Sequence, residues 1–297
     1  MLRLFWLTDL LWQPTEDSRN FLALWIANEY YWHWHDRGRR LEQQQDWQAA
    51  IACYDRAIAL CPANYWAWYG RAMILWQLGR YASAAASLEG ASEGNPDNYW
   101  SWYERGYLLL EELNEFEAAI ACFEQALLVQ PDDYWCWFRL GDACRHLQRY
   151  PQAIAYYDRA LVLRGEDYWS WLRRGDALRH LGDYPAAIAS YEQALQVDPK
   201  AFWAWYKRGE TCRYLHRYDE AISCYQQALR LEPDDEYAWY NQACCAAKLR
   251  QVELALKCLQ KAIHYNPGNR EFAARDPDFS SIRRNWQFQG LVRAERN

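Results

Sequence analysis

Apolar and polar residues follow one another along this chain with the period of an α-helix. Over residues 168–201, apolar and small side chains recur every three or four positions in two successive stretches. They are Trp171, Gly175, Leu178 and Leu181, then Ala187, Ile188, Tyr191, Ala194 and Leu195. Such spacing puts each set on one face of a helix, and no stretch shows the sustained alternation of a β-strand. The pattern predicts two amphipathic helices and no sheet.

This two-helix pattern recurs down the chain, and most copies open with Tyr-Trp-x-Trp. The copies are 34 residues apart, except for one interval of 35 between Trp100 and Trp135. A fixed period of this length is typical of stacked helical hairpins. The predicted repeats are 31–64, 65–98, 99–133, 134–167, 168–201, 202–235 and 236–269. The extra residue of the third repeat, near Leu110, is expected to distort its first helix.

Further positions recur in register with the tryptophans. A small residue occupies Gly38, Ala72, Gly106, Gly141, Gly175, Gly209 and Ala243. An alanine follows at Ala57, Ala91, Ala126, Ala160, Ala194, Ala228 and Ala262. Most repeats close on proline: Pro62, Pro96, Pro131, Pro199, Pro233 and Pro267. The sequence thus resembles the tetratricopeptide repeat family, in particular its bacterial and cyanobacterial members. The resemblance implies an all-α fold, a right-handed α-solenoid of seven hairpins.

Both ends of the chain depart from the repeat. Residues 1–30 are expected to form a degenerate half-repeat that caps the first hairpin; the alternative is an amphipathic anchor, with membrane contact only through residues 1–13. Residues 270–297 retain scattered apolar positions and are expected to form a capping helix and a tail. Repeat arrays need such covers to remain soluble.

Composition narrows the chemistry. Several of the ten cysteines share equivalent helix positions, such as Cys53 and Cys122, and there is no CxxC pair. Small buried residues are therefore expected, with no metal, no cofactor and no disulfide, in a reducing, cytoplasmic compartment. The net charge of −6 makes nucleic acid an unlikely partner. Arginine outnumbers lysine, which favours recognition of carboxylates.

The two tryptophans of each motif lie about 200° apart on a helix and cannot share a face. The resemblance places the second between the helices of its own repeat, in the hairpin core, and the first on the concave groove. It places residues three, seven, ten and eleven further along on that groove too. The predicted partner-binding residues are Trp66, Trp100, Trp135, Phe138, Arg145, His146, Trp169, Arg179, His180, Trp203, Tyr206, Arg213 and Tyr214.

Two other interpretations of these residues stay open. The tryptophans could pack on one another between successive first helices. The arginines could pair with acids three residues before them, Asp142, Asp176 and Glu210, on a solvated face. The two histidines are expected to be polar lining and not metal ligands.

An arginine and an acid recur sixteen residues apart. The pairs are Asp55 with Arg71, Glu89 with Arg105, Asp158 with Arg174, and Glu192 with Arg208. Where the arginine is replaced by Gln242, the acid is replaced by Gln226. This co-occurrence predicts ion pairs that join the second helix of one repeat to the first helix of the next.

No phosphate-binding glycine loop, GxSxG or HExxH motif is present, so the chain is not expected to be an enzyme. The leading hypothesis is a protein-interaction scaffold, such as an assembly factor. Its partner would be a protein or peptide with acidic or C-terminal carboxylate character, bound by arginines and aromatic rings. The alternative is a pigment or lipid bound along the tryptophans. Single-stranded RNA is a third, weaker hypothesis.

Overall fold

This computed structural model describes residues 16–293, with side chains from residue 26 onward. Within that range the chain is helical and contains no strand. Fourteen helices pair into seven consecutive hairpins, one for each predicted repeat. They are α1 (Glu16–Gln43), α2 (Trp47–Leu60), α3 (Tyr65–Gln77), α4 (Tyr81–Gly94), α5 (Tyr99–Glu111), α6 (Phe116–Val129), α7 (Tyr134–His146), α8 (Tyr150–Leu163), α9 (Tyr168–Leu181), α10 (Tyr184–Val197), α11 (Phe202–Tyr214), α12 (Tyr218–Leu231), α13 (Glu236–Lys248) and α14 (Val252–Tyr265). The predicted all-α hairpin architecture is confirmed.

The helices group into two compact halves, Met1–Pro131 and Asp132–Asn297. In the N-terminal half, α1 passes from residue 30 to residue 31 without a break, so the described part of the expected cap continues the first repeat helix. The proposed membrane anchor, residues 1–13, lies outside the described residues.

In the C-terminal half, the repeats are followed by α15 (Asn269–Arg275), a 3-10 turn (Pro277–Phe279) and α16 (Trp286–Val292). Phe279, Ile282 and Phe288 are buried in the same apolar cluster as residues of α13 and α14. The segment expected to cover the last hairpin therefore packs against it.

Helix ends are set by short-range chemistry. Most first helices begin after an Asn or Asp whose side chain accepts a backbone N–H of the first turn, as Asp167 does from Ser170. The turn inside each hairpin contains one residue with positive φ, for example Asn114 in the third repeat. The extra residue of that repeat lies in this turn, because α5 has the same 13 residues as α3. The expected distortion of its first helix is thus wrong; a turn absorbs an insertion without breaking helical hydrogen bonds.

The two helices of a hairpin approach most closely where the small residue of the first faces an aromatic ring of the second. A Cβ placed on Gly175 would lie 2.6 Å from Cε1 of Tyr191, and one on Gly141 would lie 2.5 Å from Cε1 of Tyr157. Both tyrosines are fully buried. Only glycine leaves room for these rings without a shift of the helices.

The sixteen-residue ion pairs are present as predicted. The nitrogen–oxygen distances are 2.8 Å for Arg71–Asp55, 2.6 Å for Arg105–Glu89, 2.6 Å for Arg174–Asp158 and 2.8 Å for Arg208–Glu192. Three of the arginines also reach the second helix of their own repeat. Arg71 donates to Ser87 Oγ at 3.0 Å, Arg174 to Ser190 Oγ at 2.7 Å and Arg208 to Cys224 Sγ at 3.1 Å. Each of these guanidinium groups touches three helices. About half of each acid is exposed, so the pairs orient the helices more than they stabilise them.

Replacing Gly175 with alanine should destabilise the protein. Alanine is better than glycine in a helix by about 1 kcal/mol, but overlap with the Tyr191 ring should cost about 1–3 kcal/mol and exceed that gain. Urea denaturation followed by circular dichroism measures the change. Gly165→Ala is the matched control, since its nearest heavy atom beyond the chain neighbours would be 3.7 Å away. Equal midpoints for the two variants would contradict the close packing.

Candidate functional site

The first tryptophan of each motif is exposed, in both halves. Trp32, Trp66, Trp100, Trp135, Trp169 and Trp203 are 40–55% exposed. The residue just before each of the last five is at least partly buried, and its ring meets the tryptophan at 5.0–5.2 Å between centroids. One step along a helix turns the side chain by about 100°, which separates a ring that faces inward from one that faces solvent.

The second tryptophan of each motif is half-buried and has a different role. In five of the motifs its indole N–H donates to the backbone carbonyl six residues earlier, in the loop that enters the repeat. The distance is 2.8 Å for Trp68 to Pro62, Trp102 to Pro96, Trp171 to Gly165 and Trp239 to Pro233, and 3.0 Å for Trp205 to Pro199. Trp171 also packs on the core cluster around Tyr191. These tryptophans fix the loops between repeats.

These tryptophans pack against the second helix of their own repeat, as expected; a Cβ on Gly90 of α4 would lie 2.8 Å from the Trp68 ring. The expectation that they fill the hairpin core is only partly correct, because they are half-buried and the leading aromatic residue is more buried in most repeats. Tyr31 is fully buried, and its hydroxyl donates to Asn64 and accepts from the backbone N–H of Ala67. Tyr134 is 4% exposed and its hydroxyl meets Ser170 Oγ at 3.2 Å. The leading tyrosine thus joins successive first helices. This tyrosine recurs as regularly as the tryptophans, and that recurrence could have indicated its structural role from the sequence.

Phe138 was predicted to line the groove but is only 7% exposed. It stacks on Tyr134 at 6.0 Å and contacts Tyr157 at 5.9 Å, beneath the surface that Trp135 presents. The equivalent Tyr206 is partly exposed and accepts a hydrogen bond from Asn241 at 2.9 Å. At this position an aromatic ring without a polar group is therefore buried and structural, whereas a tyrosine stays partly exposed.

A charged cluster lies between α7 and α9, centred on the buried Asp142. Its carboxylate accepts the Tyr157 hydroxyl at 2.9 Å. Burial, and then the charge of Asp142, raise the pKa of Tyr157 well above its usual value, so the hydroxyl stays protonated and donates. Three guanidinium groups surround the same carboxylate: Arg145 at 3.5 Å, Arg173 at 3.7 Å and Arg139 at 3.9 Å. The buried Nε atoms of Arg145 and Arg173 have no hydrogen-bond partner.

The next cluster along the C-terminal half has a similar design. The Tyr191 hydroxyl donates to Asp176 at 2.9 Å. Glu210 lies 3.7 Å from Arg179 and 3.6 Å from Lys207. The predicted Arg179 therefore lies on the same surface as Arg145, but it has an acid on the following helix. Of these two clusters, the one around Asp142 has the greater excess of positive charge, because three arginines surround one acid.

Arg213 departs from the prediction, because the chain's own C-terminal segment covers it. Asp278 contacts Arg213 at 3.1 Å and Lys248 at 2.9 Å. Asp276 accepts the Tyr240 hydroxyl at 2.8 Å. Arg213 is thus a residue of the C-terminal contact and is not open to a partner. Asp276 and Asp278 were missed because they lie outside the repeat.

Cys244, Asp276 and Asp278 are close enough to hold a metal ion, with ligand atoms within 4.8 Å of one another. Two cations already contact Asp278, and the first cause of the raised pKa of the Cys244 thiol is burial. A thiol that keeps its proton is a poor ligand. The donor set therefore does not fit a metal ion.

The remaining predicted residues lie where the first helix meets the turn. His146 Nε2 is 3.1 Å from the Arg145 guanidinium. His180 stacks on Tyr150 with centroids 5.1 Å apart, and Tyr214 stacks on Tyr184 at 5.6 Å. These rings form polar and aromatic lining beside the arginines.

In the N-terminal half, a cleft of about 410 Å³ lies between α1 and α3. Its lining includes Trp32, Trp66 and Tyr69, with Arg39 and Glu42 as charged groups. The predicted Trp66 thus borders a concave surface. Among the described residues of this half, no arginine cluster like the one around Asp142 is found.

Replacing Trp171 with alanine should destabilise the protein by about 2–4 kcal/mol, because it removes a packed ring and the hydrogen bond to Gly165. Trp169→Ala should cost less than about 1 kcal/mol, since half of that side chain is already in water. Thermal melts of the two variants measure the difference. A larger loss for Trp169→Ala would show that the exposed tryptophan carries the fold.

His180 should make stability depend on pH. Burial, and then the charge of Arg179, lower its pKa below 6.5, so the folded state favours the neutral ring. Its contribution should be complete above about pH 6.5 and lost as the pH falls through the lower folded value. When the pH is lowered from about 7.5 to about 5, the free energy of unfolding of His180→Gln should therefore fall less than that of the parent protein. Parallel urea titrations with an exposed-histidine control, His264→Gln, test this; identical slopes would contradict it.

Among the described residues, no helix is long and apolar enough to cross a membrane. No curated protein matches the chain. Among solved structures, YrrB is 23% identical, with a TM-score of 0.54 over 62% of this chain and 94% of its own. MamA is 18% identical, with a TM-score of 0.54 over 59% and 94%. The C-terminal part of a TPR repeat-containing protein from Cytophaga hutchinsonii is 14% identical, with a TM-score of 0.67 over 84% and 99%. At these identities the likeness concerns the fold.

Family models cover most of the chain. Models described as tetratricopeptide repeat match residues 35–99, 72–115, 103–168, 202–235 and 236–269, and one described as TPR repeat matches 175–212. Together with seven helical hairpins in register, these matches show that the chain belongs to the tetratricopeptide repeat family.

Proposed function

We propose that this protein is a non-catalytic interaction scaffold that binds a peptide segment of a partner protein on the first-helix surface of its C-terminal half. The bound segment carries a carboxylate, which contacts Arg145 and Arg173, and an apolar side chain, which packs on Trp135 or Trp169. The observation that carries this proposal is the cluster of three arginines around the single buried carboxylate of Asp142.

The energetics favour a ligand of this kind. The Nε–H groups of Arg145 and Arg173 are buried and make no hydrogen bond; each lies only within ion-pair distance of Asp142, at 3.5 and 3.7 Å. A buried donor without a hydrogen bond costs about 1–3 kcal/mol. A carboxylate is the natural acceptor for a guanidinium group, and the bond is stronger when both groups are charged. The net charge of −6 opposes an acidic ligand only weakly, because physiological salt screens charges that lie more than about 8 Å from the ligand.

Two further facts support the proposal. Asp278 occupies Arg213 and Lys248 in the same half, which is an example, within this chain, of a carboxylate from another segment held by the lining. YrrB, one of the similar structures, is described as a TPR protein with an unusual peptide-binding site. A role in assembling a complex, and a cytoplasmic location, complete the proposal; the burial of nine of the ten cysteines within the helical core supports the location.

The test is fluorescence anisotropy with labelled peptides that contain two aspartates and one tryptophan, against the same peptides with asparagine. Arg145→Gln together with Arg173→Gln should weaken binding of the acidic peptide more than about tenfold. Asp142→Asn should strengthen binding, because it removes the competing carboxylate but keeps an acceptor for Tyr157. The two changes act in opposite directions, so misfolding cannot produce both results.

The matched control is Arg159→Gln together with Arg284→Gln, which removes the same charge from exposed positions. If this control weakens binding as much, the effect is one of net charge and the proposed site is wrong. Equal binding of the acidic and the amide peptides would also reject it. Tight binding of an uncharged aromatic probe that ignores all the arginine variants would favour the pigment or lipid alternative.

A further inference from the structure

The seventh repeat lacks the arginine that joins three helices in the second, fifth and sixth repeats. Gln242 stands in place of the arginine, Gln226 in place of the acid, and Cys258 in the position of Ser190 and Cys224. In the fifth and sixth repeats the guanidinium also lies over the second tryptophan, at 5.8 Å for Arg174 over Trp171 and 5.9 Å for Arg208 over Trp205. The seventh repeat therefore keeps the tryptophan and the thiol but has no cation between them.

A cleft of about 270 Å³ is found at this place, between α12, α13 and α14. Trp239, Leu229 and Leu254 form its apolar part. This volume is just below the range of about 300–1,000 Å³ that is usual for ligand pockets, so it suits one residue-sized group. The cleft shares no lining residue with the Asp142 cluster.

One polar atom at the base of the cleft makes no hydrogen bond. Gln242 is 2% exposed, and its Oε1 atom has no hydrogen-bond partner. The neighbouring Cys258 is also buried, and that burial raises the pKa of its thiol to about 12, so it carries no charge. A buried carbonyl oxygen of this kind requires a donor from whatever enters the cleft.

The rim of the cleft is positive. Arg230 and Lys257 are exposed and line it, and no acidic side chain does. The equivalent residues of the preceding repeat are Gln196 and Ser223. The cleft between the sixth and seventh repeats thus combines the loss of the ion pair with two cations that are absent from the equivalent positions one repeat earlier.

We propose that this cleft binds the C-terminal residue of a polypeptide, with an apolar side chain and a free carboxylate. The side chain packs between Trp239, Leu229 and Leu254. The backbone N–H of the bound residue donates to Gln242 Oε1, and its carboxylate contacts Arg230 and Lys257. One C-terminal residue supplies all three groups. This site is separate from the proposed groove site and does not depend on it.

The test uses the whole protein and fluorescein-labelled tetrapeptides that end in Ala, Val, Leu or Phe, each as a free acid and as an amide. At least one free acid should bind. Its amide should bind at least about tenfold more weakly, because the amide has no charge with which to contact Arg230 and Lys257. If no free acid binds, or if acids and amides bind alike, the proposal is wrong.

The decisive variant restores the bridge. Gln226→Glu with Gln242→Arg should fill the cleft with an ion pair that four other repeats already hold, so the protein should fold and binding should be lost. Glu192→Gln with Arg208→Gln, which removes the pair of the preceding repeat, should leave binding unchanged. Arg145→Gln with Arg173→Gln should also leave it unchanged, which separates this site from the groove.

Binding that survives in the restored variant would overturn the assignment to this cleft. N-acetyl-leucine and N-acetyl-phenylalanine carry the same three groups as a small molecule. If either competes with the best peptide at equal affinity, the polypeptide is overturned as the occupant; at least a tenfold preference for the peptide supports it.

Discussion

The contact between a core tyrosine and the glycine opposite it is the constraint on which both the fold and the charged surface depend. In the fourth and fifth repeats the ring of Tyr157 or Tyr191 lies where a Cβ on the facing glycine would stand. This contact fixes the separation of the two helices. It also carries the tyrosine hydroxyl through the hairpin to Asp142 or Asp176, at 2.9 Å in both repeats. The acid of the charged surface is thus held by a residue of the core.

A carboxylate held in this way orients the arginines around it. Asp142 is buried and cannot rotate away, so Arg145 and Arg173, from two different helices, converge on it. In the sixth repeat the acid is Glu210, which is longer and lies beside Arg179 and Lys207. The buried Tyr225 hydroxyl is then left without a hydrogen-bond partner. The additional methylene of glutamate thus places the carboxylate beside the cations of the surface, away from the core tyrosine of its own repeat.

Much of this could be predicted from the sequence, because repeats make long-range contacts periodic. The sixteen-residue pairs, such as Arg174 with Asp158, were predictable because acid and arginine occur together in four repeats and are both replaced by glutamine in the seventh; Glu124 with Leu140 breaks the rule. The partner of Arg213 was not, since Asp278 belongs to a segment without periodicity. The burial of Phe138 was not predicted, for a different reason. Neighbouring positions on one helix face differ slightly in how deeply they are buried, and a pattern of residue types does not resolve that difference. Periodicity therefore predicts which helices meet, and less well which side chains stay accessible.

The seventh repeat lacks both the acid and the arginine that the fifth and sixth repeats carry on their first helices. Its groove-facing acid is replaced by Cys244, and the carboxylates there come from Asp276 and Asp278 of the C-terminal segment. On its other surface the arginine bridge is replaced by Gln242, and nothing within the described chain takes its place. The two losses have different outcomes. On the first-helix side the C-terminal segment supplies the missing carboxylates, whereas the cleft beside Trp239 keeps a positive rim and a buried acceptor with no hydrogen-bond partner among the described residues.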